Sequence, residues 1–373
     1  MSIRYLLKDG YLRLRGWFLR LFFVPGRIKC IKPEQVTSIA VIRIDRIGDV
    51  VASLPAVRAL KSIFPQAKLA MVVPLSLVPL LENIPGIDRL IPYRGFWGTV
   101  NVLRKEGFYL ITDLLMDYTL KTALLVFLSR PAVSAGFDIS GRGRLFNVAL
   151  KPVPGQKRMC ECLMDIPREL AVLSGGDSGL AADALPRIFL SDEDNSFADD
   201  FLKTRAVEKG ELIVGVAPGG KFPSQRWGIR NFAALADKIS DKHKARIILI
   251  ANSQERKSAG KLASLLTPHP LMAVGLPLNR LAAIISRMGL MVCNNSGPLH
   301  IAAALGVPTV STMGPTVPYL WHPAGERNSV IRKDLSCSPC SKAFCSRHKC
   351  MSSITVKEME EAVGALLGRT GKP

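Results

Sequence analysis

From residue 38 onward, short runs of aliphatic and β-branched residues alternate with segments whose apolar positions recur at helical spacing. Residues 38–44 (SIAVIRI) read as a strand, and Val50, Leu54, Val57, Leu60 and Phe64 then mark a helix that Pro65 stops. Further strands are expected at 68–73, 109–115 and 132–136, with helical segments between them. The Gly-rich stretch 174–179, running on to Pro186, marks a hinge. The pattern then restarts, with strands at 212–217, 245–251, 290–294 and 309–313, a helix over 230–239 and a last helix over 356–367. A βαβ series of this kind builds a mostly parallel, doubly wound sheet. Its repetition within 373 residues predicts an α/β protein of two Rossmann-like domains facing across a cleft. The expected divisions are a basic amphipathic extension at 1–33, an N-terminal domain at 34–185, a C-terminal domain at 186–350, and a C-terminal helix at 351–373, a candidate to cross back to the first domain.

Composition narrows the class. With 48% hydrophobic and 21% charged residues, 30 Gly and 25 Pro, the chain is neither disordered, collagenous nor a coiled coil. The excess of 50 Lys and Arg over 30 Asp and Glu gives +20, which implies a polyanionic partner: nucleic acid, an anionic membrane face or phosphorylated substrates. Residues 1–32 concentrate Arg4, Lys8, Arg13, Arg15, Arg20, Arg27, Lys29 and Lys32 against the single acid Asp9, among Tyr11, Leu14, Trp17, Phe18, Leu21 and Phe22. Such a helix suits the plane of an anionic membrane surface, or else packs on its own domain or forms a solvated tail. Large aliphatics among the cations fit a bilayer better than a phosphate groove, so no nucleic-acid partner is expected. The charge-free stretch 288–321 is broken repeatedly by Gly and Pro, so no membrane span is expected there. Eight Cys without a cleavable signal sequence point to a reducing compartment, the cytoplasm.

Three loops carry candidate chemistry. In the turn after the first strand, Asp45-Arg46-Ile47-Gly48-Asp49, the carboxylates lie where α/β sheets bind ligands. Gly48 permits close approach, although an acid at position 49 is equally explained by helix capping and the dipole. The second loop, Pro218-Gly219-Gly220-Lys221 with Gln225-Arg226-Trp227, follows a strand and offers backbone amides and cations to phosphates; its bland alternative is a surface loop. The third, Asn294-Asn295-Ser296-Gly297-Pro298-Leu299-His300, ends a strand and opens a helix whose N-terminus attracts an anion. There His300 is a ligand contact or a packed ring, and Ser296 a ligand contact or a cap. Asp192-Glu193-Asp194, after Ser191, reads as helix capping rather than a metal pair. Cys337, Cys340, Cys345 and Cys350 stand close in sequence with His348 between, as ligands of a structural zinc or as free thiols. Four ligands would close such a site and exclude a catalytic metal.

Together the loops resemble glycosyltransferase family 9, the group that contains the lipopolysaccharide heptosyltransferases. The resemblance runs from about residue 38 to the C-terminal helix. It rests on Arg43-x4-Gly48-Asp49-Val50-x4-Pro55-Ala56, on Pro218-Gly219-Gly220 with Arg226-Trp227, and on Asn295-Ser296-Gly297-Pro298-x-His300 followed by Gly314-Pro315-Thr316. It implies a GT-B fold, with the acceptor on the N-terminal domain, a nucleotide sugar on the C-terminal one and reaction in the cleft. It further implies inverting transfer, usually of heptose from ADP-heptose, to a lipid-linked lipopolysaccharide core. Asp49 matches the family's general base, with Gly48 and Arg46 on the acceptor side. Gly219, Gly220, Lys221, Gln225, Arg226, Glu255, Asn295, Ser296, Gly297 and His300 fall on the donor side, Glu255 at the ribose. No cofactor is expected for catalysis, and the implied location is peripheral, on the cytoplasmic face of the bacterial inner membrane. The family commonly has Lys where Gln225 stands and Asp where Asn295 stands, which points to altered donor contacts. The alternatives are an epimerase or hydrolase of the same fold, or a non-catalytic protein that binds sugar nucleotides.

Overall fold

The computed structural model describes residues 3–23, 26–153, 155, 157–177 and 184–369. The middle of the expected hinge, 178–183, and the tail 370–373 lie outside the described residues. The chain divides into two compact units, 1–78 with 84–184 and 79–83 with 185–373.

The N-terminal unit holds β1 (Ser38–Ile42), β2 (Lys68–Pro74), β3 (Arg89–Tyr93), β4 (Leu110–Asp113), β5 (Val133–Phe137) and β6 (Val148–Leu150). All pair in parallel, in the order β3-β2-β1-β4-β5-β6. Every residue of β4 and β5 is buried, as expected of central strands covered on both faces. Two helices matter for the site. The amphipathic α1 (Ile3–Phe22) lies outside the sheet, and α2 (Ile47–Ile63) follows β1 directly. Val50, Val51, Leu54, Val57 and Leu60 of α2 are buried, and the helices Met159–Leu163 and Asp165–Leu173 pack against it.

The C-terminal unit repeats the plan with β7 (Ile213–Ala217), β8 (Arg246–Ala251), β9 (Leu271–Val274), β10 (Leu290–Asn294), β11 (Thr309–Thr312) and β12 (Asn328–Ile331). Its order, β12-β11-β10-β7-β8-β9, is the same winding as the first, read from the other edge. In each sheet the first strand of the unit pairs with both its second and its fourth, so the winding reverses between first and fourth. That reversal opens a crevice at the carboxyl ends of β1 and β4, and another at those of β7 and β10.

The last helix differs from expectation. Val356–Arg369 packs against the helix Ile229–His243, and its Met359, Val363 and Leu366 join the core of the C-terminal unit around Trp227 and Phe232. The sequence left it a candidate to cross back to the first domain. Its apolar stripe is instead consumed by its own unit.

Candidate active site

Three of the expected loops lie at the two winding reversals. In the N-terminal unit, Asp45 and Asp49 follow β1, while Asp113 ends β4 and pairs in register with Ile42. Arg43 organises them. Its side chain is almost fully buried, donates to the carbonyls of Asp49 (3.0 Å) and Leu114, and approaches Asp45 at 3.3 Å and the Asp49 carboxylate at 3.6 Å. Arg46 is the residue before the first turn of α2 and makes no side-chain cap, so Asp49 is the third helical residue rather than the cap. Burial raises the Asp49 pKa above the ordinary carboxylate value, against the lowering effects of Arg43, Arg46 and the Arg46 amide. Asp45 is raised as well, by burial first and by its proximity to the Asp49 charge. Two carboxylates and one guanidinium thus share a partly dry pocket in which a bound proton is stabilised.

Asp113 is committed elsewhere. It is fully buried, ion-paired with the equally buried Arg142, and accepts the Leu115 amide at 2.9 Å. Arg142 also donates to the carbonyls of Leu115 and Asp117, at 2.9 and 3.0 Å. Asp49, whose side chain keeps 17% exposure, can meet a substrate hydroxyl; Asp113, at 0%, cannot. Neither Arg43 as an organiser nor the Asp113–Arg142 pair was singled out from sequence. An Arg ending an otherwise apolar strand was the available signal for the first. The second pair meets only through strand pairing.

In the C-terminal unit the hub is Asn294, at the end of β10. Its carbonyl oxygen accepts from the Trp227 amide (2.9 Å) and the Thr312 hydroxyl (2.8 Å), and its amide donates to the carbonyls of Pro218 (2.7 Å) and Gly219 (3.0 Å). One buried side chain therefore ties together the loops that carry Gly219, Arg226 and Asn295. Gly219 lies in close approach to Glu255, and a Cβ there would come within 2.4 Å of the carboxylate and push that flexible side chain aside. Glu255 closes a capping box with Asn252 and accepts the Gly220 amide at 3.2 Å. That amide, expected from sequence to face a phosphate, is thus engaged by a carboxylate. Arg226 donates to the Gly220 carbonyl at 2.8 Å, and the exposed Lys221 lies 5.6 Å from the centre of the Phe222 ring.

Gln225 donates to the Thr316 hydroxyl at 3.3 Å, and the buried Asn295 side-chain nitrogen has no hydrogen-bond partner among the described residues. Ser296 precedes the helix Gly297–Ala304 without making a side-chain cap; its hydroxyl donates to the Asn294 carbonyl. The His300 ring packs edge-on against Trp321 at 5.9 Å, and burial pushes its pKa down to about 4, so it is neutral at physiological pH.

The cysteine-bearing segment braces this site from behind. Ser224 donates to the Lys342 carbonyl, the His348 ring nitrogen lies 2.9 Å from the Ser224 carbonyl, and the amides of Cys340 and Ser341 donate to Pro315. Among the described residues no three His, Cys, Asp or Glu side chains are grouped so as to hold a metal ion. Cys337, Cys340, Cys345 and Cys350 take part in no disulfide. Asp194 closes a capping box with Ser191 and is bonded by Asn279, so this acidic run is a helix cap.

Two parallel sheets of the same winding, each with polar loops at its reversal, are the architecture of the two-domain GT-B fold. The family model for glycosyltransferase family 9 (heptosyltransferase) matches residues 102–351, and the chain belongs to that family. It is 24% identical over 337 residues to lipopolysaccharide heptosyltransferase 2 of Escherichia coli K12, covering 86% of this chain and 96% of that one. The family 9 glycosyltransferase of Veillonella parvula superposes with a TM-score of 0.78 at 20% identity, over 91% of this chain and 98% of that one. E. coli ADP-heptose lipopolysaccharide heptosyltransferase II superposes with a TM-score of 0.72 at 22% identity, over 89% and 99%. The protein is a glycosyltransferase of the GT-B fold.

Proposed function

We propose that this glycosyltransferase moves a heptose from ADP-heptose to a lipopolysaccharide core, or a related lipid-linked saccharide, with inversion at the anomeric carbon. The observation that carries the reading is Asp49, a partly exposed carboxylate at the first winding reversal whose proton affinity burial raises. Such a group is a competent general base near neutral pH. It takes the proton from the attacking acceptor hydroxyl as that oxygen bonds to the anomeric carbon. The bond from that carbon to the donor's phosphate oxygen breaks in the same displacement, its electron pair leaving with ADP. A single displacement inverts the centre.

The C-terminal unit supplies the donor side. Lys221, Arg226 and the amides opening the helix Gly297–Ala304 balance charge developing on the pyrophosphate. Neutral His300 contributes a hydrogen bond rather than a charge. Glu255 repels phosphate but accepts from hydroxyls, which suits a ribose beside Gly219 and Gly220. The unpartnered Asn295 amide remains to donate to the ligand, where an Asp would only accept. Support for the sugar and the acceptor comes from the relatives, one named for ADP-heptose and one for lipopolysaccharide.

The test is a transfer assay with a panel of nucleotide sugars and a truncated lipid-linked core, with the product's anomeric configuration read by NMR. ADP-heptose should be consumed only with acceptor present, and the new linkage should be inverted. Conversion of the donor alone would favour an epimerase or hydrolase. Nucleotide binding without transfer across the panel would favour a non-catalytic binding protein.

A further inference from the structure

Over residues 10–22 the helix α1 is apolar on two faces, and its own unit covers only one. On the inner face Gly16 and Leu19 are buried, and Arg15 donates to the carbonyls of Tyr118 (2.7 Å) and Ser140 (3.0 Å). The approach there is backbone to backbone, for a Cβ at Gly141 would come within 2.6 Å of the Gly16 Cα. The helix is therefore seated, with Phe23 just beyond it edge-on to Phe127 at 5.5 Å. The opposite face presents Tyr11, Leu14, Trp17, Phe18, Leu21 and Phe22, each at least half exposed, from 50% at Phe18 to 65% at Leu14 and Phe22. A solvated helix would carry polar residues at these positions.

Beside the C-terminal end of α1 lies an open cavity of about 600 Å³, lined by Phe22, Phe23, Phe127 and Phe146 together with Arg130 and Arg144. Neither guanidinium is ion-paired among the described residues. Aromatic walls and unpaired cations in one recess match a lipid, whose acyl chain is apolar and whose phosphate is anionic.

We propose that the outer face of α1 and the adjoining cavity form a docking surface for an anionic lipid bilayer, with a lipid phosphate between Arg130 and Arg144 and the aromatic stripe buried at the headgroup boundary. No helix of the described residues is long and apolar enough to cross a membrane, so the helix lies in the interface. Charge decides against a second copy of the chain as the occupant. Residues 10–32 contain no Asp or Glu, and Arg20, Arg27 and Lys29 are exposed, so two such faces would bring like charges together. The proposal holds whichever sugar the enzyme transfers.

The experiment is co-sedimentation of the full chain with vesicles of phosphatidylcholine alone or with roughly one third phosphatidylglycerol. Binding to the anionic vesicles should be at least about tenfold tighter and should weaken with salt. The double variant Trp17→Ser, Phe18→Ser should lose about tenfold on anionic vesicles while its unfolding midpoint stays unchanged, since both side chains are exposed. Arg130→Gln with Arg144→Gln should reduce the preference for anionic over neutral vesicles. Brominated acyl chains should quench tryptophan emission in the wild type, and Trp17→Phe should remove that quenching. Equal binding to neutral and anionic vesicles, unimpaired binding by the Trp17, Phe18 variant, or self-association through this face without vesicle binding would each overturn the proposal.

Discussion

Replacing Arg43 with Met tests whether this guanidinium holds the acidic pocket together. The residue is almost fully buried and faces Asp45 at 3.3 Å and Asp49 at 3.6 Å, so Met fills much of its volume but leaves both carboxylates without it. Removing one partner of a fully buried pair costs about 3–5 kcal/mol. The two carboxylates keep 25% and 17% exposure, and water shares their screening. The charge-dependent cost should therefore fall to roughly 2–3 kcal/mol at about pH 8. The lost hydrogen bonds to the carbonyls of Asp49 and Leu114 add about 1 kcal/mol each, independent of pH. The sign follows from which form is penalised. Both carboxyls have folded pKa values raised by burial, and removing the cation raises them further. The charged forms carry the penalty, so it is complete above the folded pKa and fades as protons bind on going down in pH. Urea unfolding of wild type and variant should give a difference of about 4–5 kcal/mol near pH 8 and a smaller one near pH 5, approaching about 2 kcal/mol as both carboxyls take up protons. An equal difference at both pH values would refute the reasoning and reduce Arg43 to a packing residue.

Asp45→Asn removes a negative charge coupled to Asp49, so the Asp49 pKa should fall and the acid limb of kcat/KM should move to lower pH with turnover retained. A loss of turnover as deep as that of an Asp49 variant would transfer the base role to Asp45. Gly219→Ala places a methyl group 2.4 Å from a Glu255 oxygen and should displace that carboxylate from the Gly220 amide. Calorimetry should then show ADP binding weakened by about tenfold, or about 1.4 kcal/mol, and unchanged binding would detach Glu255 from the donor site. Asn294→Ala leaves the buried groups of Trp227, Pro218 and Thr312 without this partner. It should destabilise the C-terminal unit by roughly 2–4 kcal/mol in urea unfolding, and a loss below about 0.5 kcal/mol would deny Asn294 its hub role.

The buried central strands were legible in the sequence because an uninterrupted apolar run such as IVGVA or LMVCN suits a strand covered on both faces. The outer strands were not. β3 contains Pro92 and is partly exposed, β6 has three residues, and β12 begins with Asn and Ser, so these three lack the run or the alternation that marks a strand, while β9 (LMAV) has an apolar run of only four residues, too short to stand out. The candidate site was legible where a loop carries its chemistry locally, as at Asp49 or Gly219. It was not where function depends on strands coming together. Asp113 and Arg142 stand 29 residues apart and meet because β4 pairs between β1 and β5. Asn294 lay within a motif read from sequence, but its four hydrogen bonds reach loops whose neighbourhood only the sheet order creates. The final helix was legible as a helix but its partner was not, because an amphipathic stripe shows that one face is buried and leaves open which core buries it.

The central claim is that Asp49 takes the acceptor's proton while the other unit binds the donor. Single-turnover transfer by Asp49→Asn, with ADP binding measured by calorimetry on the same preparation, tests it most directly. The account predicts a rate reduced by about 10²–10⁴ with ADP affinity within about twofold of wild type. Transfer within about tenfold of the wild-type rate, or a loss of activity matched by an equal loss of ADP binding, would contradict it.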